Sequence, residues 1–328
     1  MSSYLEDRYQ AVKINNVTSD FRIISAGVPQ GSVLGPILYL IYVNELPKIS
    51  DLFSTCLFAD DTTLIFKNSN KYDLFNQCDL GVNLFYSWCC ANRLSINNSK
   101  TNIMLFSNIL KPDDIADVYM SNIKIEYASL IRFLGVIIDD NLRFNLHIND
   151  VTKKISKNIG VLYKLRQFVP SNTLLAVYRS IIECYINYCI LIFGNASATH
   201  LRPLVTAQKK AVRIIASQPP QSHSDPIFFS FNLFKVSDFY KYNLGLYMRK
   251  NIDNFEQNFR INLHNTRSGD HYDPTFQRLA LAQYQSIMFQ APLNWQPIPD
   301  DIKNSISLHS FKRKYKSHIL CSRRYGDS

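Results

Sequence analysis

The sequence predicts an α+β protein in three parts: a mixed domain at residues 1–145, a basic helical domain at 146–217 and a C-terminal extension at 218–328. Short runs of alternating polarity prevail before residue 145, whereas apolar residues recur at helical spacing after it. The formal charge changes as well, from −4 over residues 1–150 to +9 over 151–224 and +5 over the rest. Both observations indicate that the chain changes character near residue 145.

Local patterns predict the elements of the first part. Residues 10–28 alternate in polarity and predict a β-hairpin, which turns either at Asn15-Asn16 or at 18–20. Apolar residues at helical spacing then predict a helix that Ser32 caps. The later elements of this part are a helix at about 72–91 and strands at 102–106, 122–126 and 131–138.

Three helices are predicted after residue 145. The first runs to about residue 165 and ends before Pro170, the second begins near Leu174, and the third spans 199–216. From Gln218 onward the sequence is rich in aromatic residues and in prolines, which predicts a mixture of short elements.

Composition excludes several classes of protein. Charged residues make up 19% and hydrophobic residues 46% of the 328, which excludes collagen-like and wholly disordered chains. No apolar run approaches the roughly 18 to 20 residues that cross a bilayer, and the N-terminus is polar, so we expect no membrane partner. The seven cysteines form no Cys-x-x-Cys pair. We expect buried or half-buried free thiols in an intracellular protein of the cytoplasm or nucleus.

Positive charge is concentrated in residues 151–224, which hold ten basic residues and a single acid, Glu183. A basic segment beside an acidic one is typical of a polyanion-binding module next to a metal site. A solvated helical face has the same composition. Charge alone supports the two interpretations equally.

Two adjacent aspartates, Asp60 and Asp61, form the sharpest local feature. They separate two short apolar strands predicted within residues 54–66. Carboxylates held close together repel each other, and Mg²⁺, which binds one or two carboxylates plus substrate phosphates, relieves that repulsion. The alternative is an ordinary hairpin turn, which Asp-Asp favours, and the pair taken alone supports that alternative better.

Four sequence blocks resemble the reverse transcriptases of non-LTR, LINE-type retrotransposons of the jockey-like group. They are A-G-V-P-Q-G-S from residue 26, F-A-D-D at 58–61, L-S-I-N-N-S-K at 94–100 and I-R-F-L-G-V-I-I-D at 131–139. The resemblance covers residues 1 to about 145, and stretches near 264–268 and 295–316 resemble the C-terminal part of the same elements. The combination of P-Q-G-S with F-A-D-D is highly specific.

The resemblance implies a partial polymerase palm, with an antiparallel sheet and packed helices, followed by a thumb-like basic domain. It implies an RNA-directed DNA polymerase that uses Mg²⁺ or Mn²⁺ for two-metal nucleotidyl transfer onto a primer 3′-hydroxyl. The implied partners are an RNA template, a DNA primer and their RNA–DNA duplex. A complete enzyme would add deoxynucleoside triphosphates and the N-terminal half of the polymerase.

The resemblance also assigns roles to single residues. Asp60 is implied as a catalytic metal ligand, Asp61 as its acidic neighbour, and Lys100 as a contact to the triphosphate. The other implied roles are nucleotide or template contacts for Pro29, Gln30, Gly31 and Phe58, gripping of the primer end for Phe133, Leu134 and Gly135, and contacts to the nucleic-acid backbone for Lys153, Lys154 and Lys157. A purely structural alternative stays open for each group. The residues around Gly31 would form a plain loop before a helix, and Lys100 would lie in a solvated turn. Residues 133–135 would belong to a core strand, and the lysines at 153–157 to a solvated helix face.

One motif of the family is missing. Residues 1–25 contain no segment like F-x-D-x-x-x-A-F-D, and their aspartates are Asp7 and Asp20. We therefore expect a chain that begins within the palm, exposes an apolar face there and makes no DNA alone. The alternatives are a non-catalytic nucleic-acid-binding remnant and a structural protein that reuses the fold. Metal-dependent incorporation and salt-dependent duplex binding separate the three hypotheses.

Overall fold

A computed structural model describes the chain in six stretches, with side chains described as far as residue 322. They are residues 6–24, 27–29, 31–107, 115–253, 255 and 286–326. Helices combine with small two-stranded sheets, which confirms the predicted α+β class. The chain divides into two compact units, Met1–Ala128 (unit 1) and Ser129–Ser328 (unit 2). The division into three domains with boundaries near residues 145 and 217 stays a prediction.

Unit 1 opens with two nested antiparallel strand pairs. The outer pair joins β1 (Tyr9–Gln10) to β4 (Arg22–Ile23), and the inner pair joins β2 (Lys13–Ile14) to β3 (Val17–Thr18). Asn15 turns the chain with a left-handed φ of 53°, a conformation that Asn tolerates better than most residues. The first of the two predicted turn positions is therefore the one used.

Helix α1 (Leu34–Val43) follows, and the Ser32 hydroxyl accepts a hydrogen bond of 3.1 Å from the Gly35 N–H, as the predicted capping role requires. Much of this helix is apolar on its solvent side. Its exposed residues include Ile37, Leu40 and Ile41, with exposed fractions of 51%, 62% and 64%. Helix α1 thus presents an apolar surface to solvent, whereas the predicted apolar face belongs to the palm sheet and stays a prediction.

Strands β5 (Ser54–Phe58) and β6 (Asp61–Ile65) form an antiparallel hairpin, and helix α2 (Lys71–Ala91) follows it. The Asn70 side chain caps α2 by accepting a hydrogen bond of 2.9 Å from the Tyr72 N–H. Both elements lie where the hydrophobic pattern predicts them.

The rest of unit 1 packs against α2. The short strands are β7 (Asn102–Ile103), β8 (Tyr119–Met120), β9 (Ile123–Lys124) and β10 (Glu126–Tyr127). The β8–β9 turn is bonded to α2 because the Asp79 and Asn83 side chains accept hydrogen bonds from the N–H groups of Tyr119 and Ser121, each 3.1 Å long. A small core lies beneath, made of Phe75, Val82, Val118, Met120 and Ile125.

Unit 2 begins with a second hairpin, β11 (Leu130–Phe133) and β12 (Val136–Asp139), followed by the long helix α3 (Asn145–Leu165). The Asp139 carboxylate joins the two because it accepts hydrogen bonds of 2.9 and 2.8 Å from the N–H groups of Arg143 and Phe144. A negative group is favourable at this helix start. The hairpin and the helix are thus one connected element.

The predicted second helix is interrupted. It consists of α4 (Ser171–Tyr178), a π-helical turn (Arg179–Glu183) and α5 (Cys184–Asn187), and α6 (Ile190–Phe193) and α7 (Ala198–Ile215) follow. Cys189, with a left-handed φ of 54°, separates α5 from α6. The helical spacing of apolar residues therefore predicts where this helical segment lies but not where it is interrupted.

The described C-terminal elements are helical, which corrects the expected mixture of short elements. They are α8 (Asp225–Ser230), α9 (Val236–Lys250), α10 (Ile287–Trp295), α11 (Asp300–Lys303) and α12 (Leu308–Gly326). Their apolar side chains share one core with those of α3–α7. The stretch at 264–268 lies outside the described residues.

A buried amide joins the C-terminal segment to α7. The Gln208 side chain donates hydrogen bonds to the Tyr178 hydroxyl (3.0 Å) and the Phe234 carbonyl (2.8 Å), and it accepts one from the Val236 N–H (3.1 Å). Three separate segments therefore meet at one fully bonded side chain.

All seven cysteines are free, as predicted, but their burial differs from the expectation. Cys56, Cys90, Cys184 and Cys321 are exposed, and Cys89 is the buried one. The expectation was wrong because Cys packs as a small hydrophobe on average and the sequence gives no further signal for a single position. No helix in the described stretches has the length and apolarity that a membrane span needs.

Candidate active site

The β5–β6 hairpin brings Asp60 and Asp61 to its tip. Phe58 pairs with Asp61, so the turn consists of Ala59 and Asp60 alone. Ala59 has a left-handed φ of 50°, which is unfavourable for a residue with a Cβ atom. Backbone strain of this kind is concentrated at functional sites, and it is the first structural feature that favours a site over an ordinary turn.

Both carboxylates are exposed, and so is the Phe58 ring, at 60%. Paired residues of an antiparallel sheet share a face, so Phe58 and Asp61 project from the same side of the hairpin. The tip therefore presents an aromatic face and two carboxylates to solvent.

Tyr39 on α1 lies within electrostatic range of the tip, and no sequence pattern singles it out. Its pKa is raised, first by burial, then by the charge of Asp60 and by Cys89. The aspartate turn thus has a partly buried phenol in its electrostatic neighbourhood.

The donor set at the tip fits a divalent cation in part. Two adjacent exposed carboxylates supply the hard oxygen ligands that Mg²⁺ prefers, and Mg²⁺ commonly completes its shell with water and substrate phosphates. Within the described stretches, no group of three or more Asp, Glu, His or Cys side chains converges at one point. Asp60 and Asp61 could therefore supply two of the oxygen ligands that a divalent cation needs.

The P-Q-G-S block forms the loop before α1. Gly27 and Gly31 have left-handed φ values of 78° and 80°, and the space where their Cβ atoms would lie is empty within 4 Å. Glycine is therefore needed there for its backbone conformation, and the loop surface stays open. The Pro29 carbonyl accepts a hydrogen bond of 3.3 Å from the Ser32 N–H, while Gln30 lies outside the described residues.

Lys100 ends a short 3-10 turn (Asn98–Lys100) in unit 1 and is exposed. The turn is closed by the Lys100 N–H, which donates to the Asn97 carbonyl at 3.0 Å. Among the described residues, no hydrogen bond or ion pair joins Lys100 to the aspartate turn. The structure thus leaves its side chain in solvent, and its role stays a prediction.

The predicted primer-gripping residues form the turn between β11 and β12. Phe133 pairs with Val136, and the two turn residues Leu134 and Gly135 both have left-handed φ values, 45° and 84°. Such a pair of conformations matches the right-handed twist of a two-residue hairpin. This turn belongs to unit 2, whereas the aspartate turn belongs to unit 1.

The three lysines of α3 differ in their surroundings. Lys153 and Lys157 are exposed, one turn apart. Lys154 Nζ instead lies 2.9 Å from Asp150 and 5.8 Å from the centre of the Tyr185 ring. The bond to Lys154 holds the pKa of the Asp150 carboxyl below its usual range. Lys153 and Lys157 are therefore the lysines that are free to meet a ligand.

An open groove runs between α3 and α7. Its polar lining combines three hydroxyls with two cations, namely Thr152, Ser156, Thr206, Arg202 and Lys210. Arg202 and Lys210 belong to the basic segment at 151–224, but helical periodicity alone does not show that they share a groove with hydroxyls of another helix. We call this surface the α3–α7 groove.

The first part of the chain is similar to proteins of a known family. Residues 1–138 match the family model described as reverse transcriptase (RNA-dependent DNA polymerase). The probable RNA-directed DNA polymerase of the transposon X-element from Drosophila melanogaster is 29% identical over 222 residues, 66% of this chain and 24% of that protein. The polymerase of the mobile element jockey from Drosophila funebris is 27% identical over 229 residues, 67% of this chain and 25% of that protein.

The hairpin with its paired aspartates thus lies inside a polymerase-type domain. Residues 1–138 form a domain of the reverse transcriptase family, and the similar proteins are RNA-directed DNA polymerases of non-LTR retrotransposons. It spans about a quarter of the length of the curated relatives it matches. No solved structure matches the chain with significance.

Proposed function

We propose that this chain is the palm and thumb part of a non-LTR retrotransposon RNA-directed DNA polymerase. The observation that carries the proposal is the β5–β6 turn, where strained Ala59 and two exposed carboxylates lie within the matched residues 1–138. An ordinary hairpin would use Gly, Asn or Asp at the left-handed position. The retained strain supports a functional turn over a structural one.

Asp60 and Asp61 would supply the carboxylate ligands of the catalytic metals. Bound Mg²⁺ or Mn²⁺ activates the primer 3′-hydroxyl and stabilises the leaving pyrophosphate. The residues of this chain perform the rest: Lys100 neutralises phosphate charge, and the open surface at Gly31 allows a base pair to approach the main chain. Phe58, exposed on the same face as Asp61, would contact the nucleotide.

Unit 2 would hold the RNA–DNA duplex. Lys153 and Lys157 are exposed, and the α3–α7 groove adds cations and hydroxyls in the arrangement that suits phosphodiester oxygens. Contacts of this kind give affinity that falls steeply with salt and depends little on base sequence. We expect both properties for this protein.

Metal binding at the tip is the direct test. Binding of Mn²⁺ is measured by electron paramagnetic resonance in the presence of an RNA–DNA primer–template and a non-hydrolysable deoxynucleotide. We expect Asp60→Asn and Asp61→Asn to lose bound Mn²⁺ and the control Asp51→Asn to keep it, because Asp51 is an exposed aspartate before β5 with the same charge. Equal Mn²⁺ binding by Asp60→Asn and wild type contradicts the assignment.

Primer extension tests the expectation of inactivity. With two adjacent carboxylates at the tip and no group of three or more ligands in the described residues, we expect no DNA synthesis by the chain alone. Magnesium-dependent extension that Asp60→Ala abolishes would overturn this expectation and leave the polymerase assignment intact.

The incomplete ligand set favours a second candidate function, a nucleic-acid-binding remnant without catalysis. In that case duplex binding through Lys153 and Lys157 persists, while Mn²⁺ binding is the same in wild type and in Asp60→Asn. The two measurements together therefore separate the candidates.

A further inference from the structure

A tyrosine from the helical part of unit 2 holds the predicted primer-gripping turn. The Tyr188 hydroxyl donates a hydrogen bond of 2.6 Å to the carbonyl of Leu134, which lies 54 residues earlier in the chain. The same ring lies beside the next residue of the turn: a Cβ atom added to Gly135 would be 3.7 Å from its Cε1 atom. The ring and the hydroxyl together contact both residues of the turn.

The turn needs such a contact. Leu134 has a left-handed φ of 45°, which a branched residue rarely adopts unless its surroundings enforce it. Among the hydrogen bonds of the described residues, apart from those that pair β11 with β12, the Tyr188 bond is the one that reaches Leu134 or Gly135. Tyr188 therefore determines where the turn carbonyl points.

The strands on either side of the turn are attached elsewhere. The Ile137 N–H donates to His147 Nδ1 at 3.3 Å, and Arg132 lies 3.7 Å from the Asp150 carboxylate. Both contacts join the strands to α3 and leave the turn itself unattached. Removing the Tyr188 hydroxyl should thus free the turn while the hairpin stays in place.

Tyr188 is itself held by its main chain. It follows α5, its N–H donates to the Cys184 carbonyl at 3.0 Å, and the left-handed Cys189 follows it. The preceding π-helical turn (Arg179–Glu183) carries one extra residue per turn, and such turns often mark functional sites. The Tyr188 side chain is nevertheless 53% exposed, so burial of its ring does not explain its position.

We infer that Tyr188 is a positioning residue, which orients the Leu134–Gly135 main chain to receive the primer terminus. The inference rests on the proposed function, because it takes this turn as the one that meets the primer. It adds a residue to which neither the family resemblance nor the sequence pattern assigns a role. Tyr188 acts through the Leu134 carbonyl and need not touch the nucleic acid.

The test compares Tyr188→Phe with Tyr163→Phe in the full chain. Tyr163 is also about half exposed, at 51%, and stacks on Arg166, and none of the described hydrogen bonds involves its hydroxyl. Amide hydrogen exchange should become about fivefold faster at the turn in Tyr188→Phe, the change expected for one lost hydrogen bond. The thermal midpoint should fall by no more than about 2–4 °C, the shift for one such bond in a unit of this size, exchange in α3 should change no more than that loss of stability allows, and Tyr163→Phe should match wild type throughout.

A second readout reports on position rather than stability. An RNA–DNA primer–template with 2-aminopurine at the primer 3′ end is titrated with each protein. We expect Tyr188→Phe to bind the duplex with affinity within about twofold of wild type, since no phosphate contact is lost, but to lose the change in 2-aminopurine fluorescence. A residue with a purely structural role would not change that signal at constant affinity.

The outcomes distinguish this inference from the proposed function. Normal duplex binding with an unchanged 2-aminopurine signal, or unchanged exchange at the turn, overturns the role of Tyr188 alone. Failure of the wild-type chain to bind the duplex overturns the proposed function, and the primer-positioning role falls with it.

Discussion

Lys154 Nζ lies 2.9 Å from the Asp150 carboxylate, one helical turn away on α3, and this pair separates Lys154 from the two lysines beside it. Asp150 is also 3.7 Å from Arg132 on β11. The pair therefore connects α3 to the hairpin, and its cation is engaged within the protein. Lys153 and Lys157 have no such partner among the described residues.

We predict that Lys153→Gln/Lys157→Gln weakens binding of an RNA–DNA duplex and lowers the salt dependence of log K by about 1.8, the value for two phosphate contacts. Lys154→Gln should change affinity by about twofold or less, because a surface ion pair contributes little. Fluorescence anisotropy at several KCl concentrations measures both quantities. A salt slope that Lys154→Gln lowers by as much as the double variant would contradict this account of α3.

Ala59 is one of several non-glycine residues with a left-handed φ, and it lies in the aspartate turn. We predict that Ala59→Gly raises or leaves unchanged the stability of unit 1, since relief of about 1 kcal/mol of left-handed strain offsets the entropy that glycine loses on folding. Ala91→Gly, at the end of α2, is the control and should destabilise the same unit. Urea unfolding measures both changes, and a clear loss of stability in Ala59→Gly would mean that the turn is unstrained.

Gly81 of α2 packs beneath the aspartate hairpin. A Cβ atom there would lie 2.6 Å from Phe66 Cε1 and 2.9 Å from Phe53 Cδ1, and these two rings flank the hairpin strands. We predict that Gly81→Ala costs about 1–3 kcal/mol, the range for overpacking. The matched control is Gly160→Ala on α3, where the space is open and helix propensity favours alanine by about 1 kcal/mol. Calorimetry should show opposite shifts, and equal shifts would contradict the packing.

His147 makes the stability of unit 2 depend on pH. It is buried, its Nδ1 accepts a hydrogen bond from Ile137, and burial lowers its pKa, an effect that Lys154 and Arg132 increase and Asp150 opposes. Because the pKa of His147 in the folded protein lies below the ordinary histidine value of 6.5, the unfolded chain binds a proton first as the pH falls. The contribution of His147 is thus complete above pH 6.5 and is lost as the pH falls below that value.

The measurement is the unfolding free energy of unit 2 at pH 7.5 and 5.5. We expect wild type to lose stability between the two values and His147→Gln to lose less, from a lower starting stability. His309→Gln, on the exposed side of α12, should behave as wild type. Equal pH dependence in His147→Gln and wild type would show that other groups cause the effect.

The sequence predicted those features that depend on neighbouring residues. The Asn15 turn, the Ser32 cap and the β5–β6 hairpin each follow from chemistry within a few residues, and the structure has all three. The electrostatic effect of Asp60 on Tyr39 and the bond from Tyr188 to Leu134 join residues far apart in the chain. No local pattern encodes such contacts.

The C-terminal helices were missed for a different reason. Proline predicts a break in local structure, but Pro226 and Pro299 lie at or just before the first turn of a helix, where the missing N–H costs nothing. Pro292 lies inside α10 in a part of the chain whose aromatic side chains pack against α9 and α12. Tertiary packing there overrides the local preference.

The hydrogen bonds of Gln208 limit where the chain can be truncated after the basic helices. Its buried amide bonds to residues on both sides of position 217, so a fragment that ends there would keep a desolvated carboxamide with one of its three partners. The same truncation would strip the core of Phe234, Phe239 and Trp295. Residues beyond 217 therefore complete the hydrophobic core that they share with α3–α7. A stable fragment that retains the α3–α7 groove has to extend through α12.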